Sequence, residues 1–122
     1  PGTGQGRIWT VFENDYNPSI QFVANPDTSG INKFKTVASL ISRINGQPWA
    51  GSETNHGLDI GSFSLDSKNC IIKIMVYKNR ISDVGIKLVD SSNVVMQEIK
   101  VSNTLINKWE GLVFDFSTRI GL

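Results

Sequence analysis

From Cys70 to Lys78 the chain alternates without a break: Cys70, Ile72, Ile74 and Val76 face one way, and Ile71, Lys73, Met75 and Tyr77 face the other. A period of two with β-branched residues on one side describes a strand with one dry face. A dry face has to be covered, so this run demands a second layer of structure. Candidates for that layer follow at once. Val84, Ile86 and Leu88 alternate with Gly85, Lys87 and Val89. The stretch from Val95 to Val101 alternates again, with Met96, Glu98 and Lys100 on its polar side, and Trp109 to Phe116 places Leu112, Phe114 and Phe116 on one face. Upstream, Ile8 to Glu13, Ile20 to Ala24 and Phe34 to Ile44 also read as strands, with a shorter strand or edge near Leu58 to Leu65. Turn residues separate them: Asn14 to Pro18, Asn25 to Gly30, Asn45 to Pro48 and Asp90 to Asn93. No segment carries a helical stripe. About eight short strands at roughly 8–12-residue spacing predict an all-β chain folded as an antiparallel β-sandwich or barrel.

A chain of 122 residues is expected to form one domain, with a Gly-rich linker over residues 1–7 and the sandwich over 8–122. That length buries a core without disulfide support, and the single cysteine, Cys70, reads as a small core residue between apolar neighbours. The 12 basic and 11 acidic residues nearly cancel. No Lys/Arg run forms a patch, so nucleic acid is not an expected partner. No segment has the apolar length for membrane insertion. The opening Pro-Gly-Thr-Gly-Gln-Gly, without a Met, looks like a cut from a longer protein.

Catalytic arrangements find little footing. His56 is the only histidine, which excludes a metal cluster built on histidines. It sits in a polar Thr-Asn-His-Gly loop and reads as an exposed side chain rather than a base. No serine lies in a nucleophile-elbow pattern. Glu13, Glu53, Asp59 and Asp115 supply carboxylates, but none lies in a segment that predicts burial and a raised pKa. No phosphate cradle is present. The chain is not expected to be an enzyme.

Aromatic residues carry more. A flat ring stacks on the apolar face of a sugar, and neighbouring amides and carboxylates bond its hydroxyls. Trp49 follows Pro48 and has suitable company: Asn45 and Gln47 before it, Glu53, Asn55 and His56 after it. Two readings stay open, a stacking platform and a ring that plugs one end of the sandwich. Tyr16, among Asn14, Asp15 and Asn17, is a second candidate. Tyr77 shares the polar side of its strand with Lys73. Together with Lys87 and Glu98 it would line a shallow groove, or belong to an ordinary solvated face. Trp109 reads as a packing residue. Glu13, with loop carbonyls near Ser29 to Asn32, is a candidate calcium ligand; a metal-free surface glutamate is the plainer reading.

Four motifs together, FEN near the N-terminus, NPDTSGIN, QPWAG and WEGLVFDFS, make the stretch from about Trp9 to Ser117 similar to β-jelly-roll carbohydrate-binding modules of the family four and nine kind. It resembles above all those attached to or inserted in bacterial endo-xylanases and β-glucanases. The resemblance implies a non-catalytic module, secreted or cell-surface and monomeric. Such a module holds a parent catalytic domain on plant-type polysaccharide, with xylan favoured over β-glucan. It implies a structural Ca2+ that uses Glu13. It also implies a further family strand beyond Leu122, absent here or supplied by another segment. The alternative is a spacer or protein-contact sandwich that binds no sugar.

Overall fold

The computed structural model describes residues 9–54, 62–90, 92 and 96–122. The linker expected at 1–7 lies outside these residues. The chain is all-β. Among the described residues there are eight strands: β1 (Trp9–Phe12), β2 (Gln21–Ala24), β3 (Thr36–Ser39), β4 (Gly51–Thr54), β5 (Ile71–Tyr77), β6 (Asp83–Val89), β7 (Met96–Ser102) and β8 (Trp109–Asp115). One short 3-10 turn follows at Ser117–Arg119. All pairings are antiparallel, in four two-stranded sheets: β1 with β4, β2 with β3, β5 with β8, β6 with β7. Among the described residues no helix is long and apolar enough to cross a membrane.

The strands divide between two compact units. The first comprises Pro1–Pro26 and Phe34–Ser62, the second Asp27–Lys33 and Phe63–Leu122. In each unit the first strand pairs with the fourth and the second with the third. The sequence shows no internal repeat, yet the same nested order occurs twice.

In the second unit the alternation of β5 is realised as read. Ile72, Ile74 and Val76 turn inward, and so do Leu112, Phe114 and Phe116 at the end of the chain. Val84, Ile86, Leu88, Ile99 and Val101 of the β6–β7 ribbon pack on the same cluster. The two ribbons thus share one apolar core, the arrangement of a small β-sandwich. Cys70 is buried at its edge with a free thiol.

Polar groups fix the connections. Asn103, buried just after β7, donates from Nδ2 to the carbonyls of Arg80 (3.0 Å) and Leu105 (2.8 Å) and accepts from the Ser82 N–H (3.0 Å). Glu110 caps the loop before β8. Its carboxylate accepts from the Thr104 N–H (2.8 Å) and hydroxyl (3.1 Å) and from the Leu105 N–H (2.8 Å). These bonds, the Thr104 amide first, hold Glu110 below the usual glutamate range. The Ser117 amide lowers Asp115 in the same way. A carboxylate lowered by folding stabilises the fold above its unfolded pKa. It loses that contribution as pH falls through the folded value. The unfolding free energy is therefore expected to be flat near neutrality and to fall below about pH 4.5, the ordinary glutamate value. Urea unfolding of wild type and Glu110→Gln between pH 3 and 7 checks this. The variant should show the shallower acid slope; equal slopes would remove Glu110 from the account.

Candidate functional site: a stitched corner bearing two open rings

The first unit concentrates its polar bonding at one corner, where the loop after β1 meets the segment from Ile41 to Ala50. Asn14 is 1% exposed and makes both connections. Its Nδ2 donates to the Ile41 carbonyl (2.8 Å), and its Oδ1 accepts the Arg43 N–H (2.8 Å). Its own N–H is taken by Asn17 Oδ1 at 2.7 Å, and the Asn17 N–H returns to the Asn14 carbonyl at 3.2 Å. A further stitch runs from the Gln47 N–H to the Glu13 carbonyl (2.8 Å). Gly46 closes a turn on the Arg43 carbonyl (3.0 Å). It has to be small, because a Cβ there would lie 2.9 Å from Asn14 Oδ1 and 3.1 Å from its Cα.

The loop is also conformationally unusual. Glu13, Asp15 and Asn17 all have positive φ, at 51°, 59° and 50°. Asn and Asp tolerate this region better than other non-glycine residues; Glu13 has no such help, and its carbonyl is the one that Gln47 grips. Backbone held in sparsely populated regions by several redundant bonds is characteristic of positions that present a side chain for use.

What the corner presents is aromatic. Tyr16 is 71% exposed and Trp49 is 60% exposed. The Arg43 guanidinium lies over the Tyr16 ring, 4.2 Å from its centroid, and its Nε donates to Asp15 Oδ2 at 3.3 Å. Trp49 sits in the turn closed by the Ala50 N–H on the Gln47 carbonyl (3.0 Å), so the stitch at Gln47 also anchors its loop. Beside these loops lies a shallow depression of about 130 Å³, lined by Pro18, Gln21, Ser39, Leu40, Ile41 and Arg43 among others.

The remaining predicted residues are placed as follows. Glu53 is exposed on β4, opposite Thr10 of β1. Asn55 and His56 lie outside the described residues. Tyr77 and Lys73 are on the outward side of β5, where Tyr77 opposes Trp109 of β8. The Tyr77 and Trp109 rings are 5.6 Å apart and tilted by 60°, so they offer no shared flat surface. Trp109 therefore packs against an outer-face ring rather than in the core. Lys87 and Glu98 oppose each other on the outward side of the other ribbon, and that groove is not assembled with Tyr77 and Lys73. Glu13 is exposed. In its own loop the Glu13 carbonyl, Asp15 carboxylate and Asn17 amide oxygen already accept protein donors. Calcium takes six to eight oxygens, and among the described residues no three His, Cys, Asp or Glu side chains converge.

Sequence reasoning missed Asn14 as a structural pin and Arg43 altogether. The positions lie 29 residues apart, and neither has a local signature.

Compared with known protein families, curated proteins and solved structures, the chain gives no match.

Proposed function

We propose that this chain is a non-catalytic glycan-binding module that holds a neighbouring hydrolase on plant-type polysaccharide, xylan ahead of β-glucan. The observation that supports it most is the pair of outward rings, Tyr16 and Trp49, carried on loops that Asn14 and Gln47 tie together. A ring left open to water and prevented from collapsing is suited to stacking on a sugar, because little ordering remains to be done on binding. The preference for xylan and the parent hydrolase rest on the family resemblance alone. Single sites of this kind are weak, of the order of micromolar to millimolar Kd, and act by raising the local concentration of a linked domain. The structural calcium at Glu13 is a proposal of the same resemblance, and metal analysis of the purified protein tests it.

Trp49→Ala and Tyr16→Ala are each expected to weaken retention on insoluble xylan at least about tenfold, ~1.4 kcal/mol, with circular dichroism unchanged because both rings are exposed. Unchanged retention of either variant would remove that ring from the site.

One observation favours the alternative, a spacer or protein-contact domain. Ile44, 98% exposed, and Ile41 stand open beside the same corner, and apolar side chains in water suit a protein partner. A protein-contact role gives no response to any polysaccharide.

A further inference from the structure

Arg43 gives the corner a chemical preference, and the preference rests on the glycan-binding reading above. Its backbone is held by Asn14, one edge of its guanidinium by Asp15, and one face by the Tyr16 ring. These three contacts fix the plane of the group while using only one of its five N–H donors. The two Nη amino groups donate to no described residue, and Arg43 lines the shallow depression. An oriented guanidinium edge with unengaged donors matches the two oxygens of a carboxylate, which a lysine ammonium would not do.

We propose that Arg43 recognises a carboxylate on the glycan, and that the corner therefore binds polymers bearing hexuronate units better than neutral ones. Asp15 opposes any incoming anion, so it limits the affinity while it aims the fork. Bulk attraction is not available as a substitute, since the whole chain carries a formal charge of only +1. The effect is local and belongs to one residue.

The test compares glucuronoxylan with the same polymer after its carboxyl groups have been reduced to alcohols, by affinity electrophoresis and calorimetry. Wild type is expected to bind the acidic form about fivefold more tightly, the scale of one partly exposed charge pair. The difference should shrink as salt is raised. Arg43→Gln should bind both forms as wild type binds the reduced one, and Asp15→Asn should widen the difference. If Arg43→Gln fails to fold, Asp15→Asn and the salt series still decide. Equal binding of the two forms by wild type, or a preference that survives in Arg43→Gln, overturns the role of Arg43 and leaves the glycan reading intact. No binding of either form overturns both.

Discussion

Asn14→Ala is expected to lower the unfolding free energy by about 1–3 kcal/mol and to weaken polysaccharide retention in the same variant. The alanine removes a buried donor and a buried acceptor together. The Ile41 carbonyl and the Arg43 N–H lose their partners, and each such part-buried bond is worth about 0.5–1.5 kcal/mol. The consequence for binding follows from the same bonds. Without them the loop carrying Tyr16 is tied to the segment from Ile41 to Ala50 only by the Gln47 N–H to Glu13 carbonyl bond and the Arg43 contacts to Asp15 and Tyr16, so the rings are held less firmly. Urea unfolding followed by fluorescence, beside a xylan pull-down, reads both effects. A stable variant that still binds would show that the stitch is incidental. A destabilised variant that binds as wild type below its unfolding transition would separate the pin from the site.

Phe114→Ala is expected to cost about 3–5 kcal/mol, the range for emptying a fully buried phenylalanine site. Phe114 is 0% exposed and lies in the buried cluster onto which residues of β5, β6 and β7 pack. Native domains hold only about 5–15 kcal/mol, so the variant should have little margin left. A fall in the urea midpoint of the size that this loss implies checks it. A loss below about 1 kcal/mol would mean that the cluster collapses to fill the space.

How much of this was legible beforehand depended on where each strand gets its stability. β5 and β8 declare themselves: Ile72, Ile74, Val76, Leu112 and Phe114 alternate, and the register Ile72↔Phe114 and Ile74↔Leu112 puts them on one inner face. β4 does not. Gly51 to Thr54 carries no β signal of its own and becomes a strand through pairing with β1. Gly51 is small because the Phe12 ring occupies the space; a Cβ would lie 2.9 Å from the ring. The opposite error occurs at β3. The β-prone run from Phe34 to Ile44 is realised only over Thr36–Ser39. Its partner β2 is four residues long, and the ladder ends at Gln21↔Ser39. Beyond it, Asn14 takes the Ile41 carbonyl and the Arg43 N–H. Tertiary bonding overrides local propensity there.

The candidate site was legible in its open rings and illegible in the bonds that frame them. Trp49 and Tyr16 stand out because an aromatic residue among turn formers is a local signal. The bonds that unite their loops join Glu13 to Gln47 and Asn14 to Ile41 and Arg43. Such bonds between segments distant in the chain have no spacing rule. Arg43 stood inside a run read as strand, so its place above the Tyr16 ring could not be anticipated. The groove drawn from Tyr77, Lys73, Lys87 and Glu98 assumed that outward faces on neighbouring strands adjoin. The pairing of β5 with β8 and of β6 with β7 puts them on separate ribbons.

Affinity electrophoresis of the wild-type chain through gels cast with a panel of soluble polysaccharides measures binding by this surface most directly. Retardation by xylan, with weaker retardation by mixed-linkage β-glucan and reversal in Trp49→Ala and Tyr16→Ala, is the expected result. Migration unchanged by every polymer in the panel would contradict it.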